Sequence, residues 1–176
     1  MKNISTKQIV IMALMIAMDI VLTRILSIQT PIIRISFGFL PIVITAVLYG
    51  PLSAAIVGTL ADFTGASIFS IGAPFPGFTF TAFLTGAVYG LFIYKRPGST
   101  FHIVTAVLIV TVILQLGLDT LWVHMITGSS YIALLPPRAL RTVIMIPVQI
   151  ILIKSLIRML HSYGVKLVGY TPGKDT

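Results

Sequence analysis

The 176-residue chain is 57% hydrophobic and 9% charged, with mean hydropathy +1.06 and net charge +8. Soluble domains usually carry about 25% charged residues, so these values point to an all-α integral membrane protein. Glutamate and cysteine are absent, which excludes disulfides and thiolate chemistry; with no basic stripe to track phosphates, nucleic acid is not an expected partner.

In chain order, the start "MKNISTKQIV" is basic like a signal peptide. The apolar stretch behind it is long, contains Asp19 and Arg24, and lacks a small-residue cleavage site, so it reads as a retained helix. Windows of near-spanning length, roughly 20 residues, fall at 8–26, 35–50, 52–69, 77–94, 102–123 and 137–158. The second is short, and its start could lie nearer Pro31. Turn residues separate them: "QTP", "YGP", "GAPFPG", "KRPGS" and "TGSS". The expected architecture is one compact bundle of six transmembrane helices over 1–176, with 161–176 as a cytoplasmic tail.

An even number of spans puts both termini on one side. If that side is the cytoplasm of a prokaryotic plasma membrane, it holds Lys2, Lys7, Lys95, Arg96, Lys154, Arg158, Lys166 and Lys174. The outer side holds Arg24, Arg34, Arg138 and Arg141, so the positive-inside rule favours this orientation. Every lysine is then inside, and every outer basic residue is an arginine. Lysine and arginine signal topology equally well, so the bias has another cause. The planar arginine fork holds a carboxylate through two parallel hydrogen bonds, which lysine cannot do. Arg138 and Arg141, three apart at the head of "LLPPRALRTVIMIPVQ", project from nearly one helix face. Arginines near helix ends also snorkel to lipid headgroups, the competing explanation.

Three aspartates, Asp19, Asp62 and Asp119, fall inside spans, where an ionisable group normally faces the bundle interior or a polar cavity. Each lies in the outer half of its helix; Asp62 is roughly 15 Å along the third. They could close the bundle by pairing with the outer arginines, or accept N–H groups of a ligand. The outer loops are aromatic: "RISFGFLP" carries Phe37 and Phe39, and "FSIGAPFPGFTF" carries Phe69, Phe75, Phe78 and Phe80. Trp122 and Tyr131 flank the last loop, with His124 on the rim. Together these residues suit a walled pocket for a flat, polar, anionic molecule.

Two small-xxx-small pairs, Ala13 with Ala17 and Gly86 with Gly90, permit close helix approach. No G-x-x-x-x-G-K-[ST] loop, H-E-x-x-H or serine–histidine arrangement is present, and neither a cofactor nor a metal is expected. A membrane-embedded lipid-modifying enzyme and a ligand-free assembly subunit are the alternatives from other classes.

The stretches "ISFGFLPIVITAVLYGP", "GTLADFTGA", "PFPGFTFTAFLTGAVYGLF", "LDTLWV" and "LLPPRALRTVIMIPVQ", with Ala-x-x-x-Ala on the first helix, span almost the whole chain. They resemble the substrate-binding S components of energy-coupling-factor (ECF) vitamin transporters, in their folate-specific branch. The resemblance implies high-affinity capture of folate at the outer face, with another small polar vitamin or precursor as the alternative ligand. Delivery inward would then proceed with a transmembrane coupling protein (the T component) and two cytoplasmic ATPases. It also implies that Ala13 and Ala17 contact the coupling protein. Folate chemistry suits the polar residues: Asp62, with Asp119 as second choice, for the pterin edge; Phe37, Phe75, Phe78 and Trp122 for its rings. Arg24, Arg34, Arg138 and Arg141 are candidates for the glutamate tail, unless some pair with Asp19 or Asp119.

Overall fold

The computed structural model describes residues 5–29, 34–69 and 75–163. Pro31 and the tail from 164 onward lie outside the described residues. Helix α1 spans Thr6–Ile25, and its last stretch, Val21–Ile25, is wound as a π-helix. A two-residue antiparallel pair follows, β1 (Ile28–Gln29) with β2 (Arg34–Ile35), in the register Ile28↔Ile35 and Gln29↔Arg34. Then come α2 (Phe39–Tyr49), α3 (Pro51–Ile68), α4 (Pro76–Ile93), α5 (Thr100–Thr127) and α6 (Tyr131–Ser162).

Local chemistry sets the breaks. Gly50 takes φ +89 between α2 and α3, a conformation that favours glycine, and Pro51 then opens α3, where its missing N–H costs nothing. The α5–α6 turn ends on a left-handed Gly128, whose amide donates to the His124 carbonyl at 2.9 Å. His124 Nδ1 donates to the Ser129 carbonyl at 2.6 Å, so the rim histidine holds this turn. Helix α6 begins at Tyr131, ahead of the apolar window that opens at 137. Pro136 and Pro137 therefore lie inside the helix rather than at its start. Membrane helices tolerate such prolines because neighbouring groups satisfy the freed carbonyls.

Five of the helices are long and apolar enough to cross a bilayer. The exception is α2: eleven residues reach about 17 Å, against roughly 30 Å of hydrocarbon. It does not need to match the lipid, because it is the core. Phe39, Val43, Ala46 and Val47 pack with Tyr89 and Ile93 of α4, Ile103, Val107 and Val110 of α5, and Ile153 and Ile157 of α6. The polar groups in this core are paired: Tyr89 Oη donates to Gln149 Oε1 at 3.0 Å, both fully buried.

The two small-residue pairs have different fates. Gly86 and Gly90 are buried against α3: a Cβ at Gly86 would lie 2.6 Å from the Ala55 backbone nitrogen, and one at Gly90 2.6 Å from that of Pro51. The opposing atoms are backbone and cannot swing aside. Gly90→Leu is expected to destabilise the bundle by about 3 kcal/mol, measured as a lowered melting midpoint of the purified protein in detergent. Ala13 and Ala17, by contrast, are exposed. Helix α1 lies at the periphery, and Asp19 is its one fully buried residue among those described. It is tied to α3 near its start, where Gln8 Nε2 donates to Ser53 Oγ at 3.2 Å, and near its end through Arg24.

Candidate ligand-binding site

The alternating helix directions bring the end of α1, the second half of α3, the start of α4, the end of α5 and the start of α6 to one end of the bundle. That end gathers Arg24, Asp62, Phe75, Phe78, Asp119, Trp122, Arg138 and Arg141. The opposite end holds Lys7, Lys95, Arg96, Lys154 and Arg158.

Asp62 is the centre of a three-helix link. Arg24 Nη2 of α1 donates to Asp62 Oδ1 at 3.3 Å, and Thr79 Oγ1 of α4 donates to Oδ2 at 2.9 Å. Both carboxylate oxygens are thus engaged. The Arg24 side chain is 5% exposed and that of Asp62 18%, so the pair lies largely out of solvent. Gly65, one turn beyond Asp62, makes room for the guanidinium: a Cβ there would lie 3.0 Å from Arg24 Nε. Asp19 is buried one turn earlier on α1. Its carboxylate packs against Gly38, where a Cβ would collide with it, and Thr23 donates to its carbonyl.

Asp119 differs from Asp62. Its Oδ1 is buried with no hydrogen-bond partner, while Thr81 hydrogen-bonds the carboxylate and Arg138, Arg141 and Asp62 lie within electrostatic reach of it. Arg138 Nη1 donates to Thr120 Oγ1 at 3.2 Å, and its Nε is buried without a partner. Asp119 and Arg138 therefore offer an acceptor and a donor that the protein leaves unused, an arrangement that a bound polar molecule can complete.

Beside them stands an aromatic wall. The Phe75 ring lies 5.5 Å from that of Trp122, tilted at 45°, and 6.4 Å from that of Phe78 in an edge-on arrangement. Trp122 Nε1 donates to Thr81 Oγ1 at 3.0 Å. Phe37 is 39% exposed, just before α2, and joins no ring contact among the described residues. The Arg34 side chain and residues 70–74 of the aromatic loop lie outside the described residues, so Arg34 is placed only by its backbone in β2. Thr79 and Thr81 carry no charge or motif and escaped the sequence reading. The one available signal was their position in "GFTFT", within the aromatic segment.

The comparisons agree with this architecture. The family described as ECF-type riboflavin transporter, S component, matches residues 3–159. A relative from Clostridium novyi (strain NT), Folate transporter FolT, is 44% identical over 148 residues, covering 84% of this chain and 86% of its own. Folate transporter FolT from Leuconostoc mesenteroides subsp. mesenteroides is 33% identical over 154 residues, covering 84% and 83%. Among solved structures, a crystal structure of FolT bound with folic acid superposes with TM-score 0.84 at 36% identity, over 89% of this chain and 97% of that one. A multi-pass helical bundle with a polar, aromatic-walled site at one end is the architecture of a transporter's substrate-binding subunit. The chain belongs to the ECF-type transporter S-component family, and so is a transport subunit rather than an enzyme.

Proposed function

We propose that this chain is the folate-binding S component of an ECF-type importer in a prokaryotic plasma membrane. The observation that carries the reading is the aromatic wall of Phe75 and Trp122 standing beside the unpartnered Asp119 Oδ1 and Arg138 Nε, in a fold shared with a relative described as bound with folic acid. Folate presents a flat pterin with adjacent N–H donors and a tail with two carboxylates, the complement of such a site. Because both oxygens of Asp62 are engaged, Asp119 is the better acceptor for the pterin edge. Asp62 then serves to hold Arg24 in place. Arg138 and Arg141 take the tail carboxylates.

The arginine end faces outward and both termini face the cytoplasm, supported by the gathering of Lys7, Lys95, Arg96, Lys154 and Arg158 at the other end. The chain has no nucleotide-binding motif, so a T component and two ATPases supply the energy. The exposed Ala13–Ala17 strip of α1 meets the T component.

The family description names riboflavin, which has no carboxylate to match the planar arginine forks gathered at this end. Equilibrium binding to the purified protein tests the assignment: folate is expected to bind and to co-purify, and riboflavin is expected not to displace it. Tight riboflavin binding with none of folate would overturn it.

A further inference from the structure

Several threonines in this bundle satisfy their hydroxyl proton within their own helix. Thr45, Thr59, Thr105, Thr111, Thr127 and Thr142 each donate to the carbonyl four residues back, the usual way to satisfy a hydroxyl in an apolar helix. Thr81 does this too, donating to the Gly77 carbonyl at 3.1 Å, but its oxygen also accepts the indole N–H of Trp122, on a different helix, at 3.0 Å. An indole nitrogen can only donate, so the Thr81 oxygen accepts from Trp122, and its own single proton is left for the Gly77 carbonyl or the Asp119 carboxylate beside it. Each bond in such a chain polarises the next. Thr81 is 4% exposed, so water does not compete for either bond.

The same turn of α4 shapes the other side of the indole. A Cβ at Gly77 would lie 2.6 Å from Trp122 Cδ2 and 2.6 Å from Phe75 Cε1. Gly77 is thus the gap into which both rings close, and Thr81, four residues on, is the peg that holds one of them. The Thr81 hydroxyl also stands next to the Asp119 carboxylate.

We infer that Thr81 is a positioning residue of the ligand site: its hydroxyl sets the Trp122 ring as a prebuilt wall for the flat ring of the ligand. The inference rests on the folate reading above. It goes further in assigning ligand affinity to a side chain that need not touch the ligand. A wall already immobilised loses little freedom when the ligand stacks on it.

Trp122 is the one tryptophan of the chain, so tryptophan emission reports on this wall alone. The test uses the full chain in detergent, with folate as the probe and two variants: Thr81→Val, which keeps the shape without the hydroxyl, and Thr81→Ser, which keeps the hydroxyl. In ligand-free protein, Thr81→Val is expected to shift the Trp122 emission and lower its anisotropy, whereas Thr81→Ser matches the parent. Folate affinity is expected to fall about tenfold in Thr81→Val and to be retained in Thr81→Ser. Unchanged emission in Thr81→Val overturns the inference, and so does shifted emission with unchanged folate affinity. If Thr81→Val does not fold, Thr81→Ala removes the hydroxyl without placing a second methyl in its space. A shift in Trp122 emission with weaker folate binding supports the inference there, and parent-like behaviour overturns it. If the parent itself fails to bind folate, the folate reading falls, while the ligand-free emission still decides whether Thr81 positions the ring.

Discussion

Folate uptake by the assembled transporter is expected to fall on the order of a hundredfold when Ala13→Trp and Ala17→Trp are combined, while folate binding by the isolated subunit stays at the parental level. Both alanines are exposed on α1, so indoles there meet lipid in the isolated subunit and displace none of the core. Close approach of a second helix is another matter, because small residues are what allow two backbones to pack in lipid. Labelled-folate uptake in cells carrying all components, set beside binding by the purified subunit, separates the two effects. Loss of binding along with uptake would assign these alanines to the folding of the subunit instead.

The second large effect separates two aspartates that look alike in sequence. Asp119→Ala is expected to weaken folate by about a hundredfold, as befits removal of a hydrogen-bond acceptor that leaves the ligand's buried N–H groups unmatched. The ligand-free melting midpoint should change little, since the lost attraction to Arg138 is offset by removing a carboxylate oxygen that was buried without a partner. Asp62→Ala should behave the other way round. It strands the buried Arg24 guanidinium and the Thr79 hydroxyl, at a cost of about 3 kcal/mol, and so lowers the melting midpoint before any question of affinity arises. Isothermal binding and thermal unfolding on the same preparations distinguish the two profiles. If Asp62→Ala kept its stability and lost affinity while Asp119→Ala did neither, the pterin acceptor would be Asp62.

These assignments show what could be read from sequence and what could not. Hydropathy located the long helices because lipid imposes their length and apolarity directly. It could not show that α2 ends after eleven residues as a protein-packed core helix, since a buried helix and a lipid-facing one are equally apolar. Nor could it show that α6 runs through Pro136 and Pro137 from Tyr131, because proline punctuates sequence more strongly than it breaks a supported membrane helix. The charged and aromatic residues of the site were legible because each is costly or unusual in its setting. Their pairing was not: Arg24 and Asp62 are 38 residues apart, and only packing selects Asp62 as the partner. Thr79 and Thr81 were hidden for the same reason, since a threonine bonded to its own helix and one bonded across the bundle share the same letters. The glycine pair at 86 and 90 and the alanine pair at 13 and 17 had equal standing as patterns. Burial against α3 separates one from the other.

One feature of α5 bears on how the site is kept in register. Residues Ile109–Leu118 form a π-helix, and the amide of Asp119 donates to the carbonyl of Leu114, five residues back. Each such turn takes in one residue more than an α-turn does, so Asp119 and Trp122 stand at an angular phase that a regular helix of equal length would not give them. Dropping a single residue from that stretch would swing everything beyond it by nearly a quarter turn around the helix axis, turning the carboxylate and the indole away from Thr81 together. The length of α5 thus acts as a dial setting: a gap of one residue there amounts to losing both groups from that end of the bundle, though neither has been replaced.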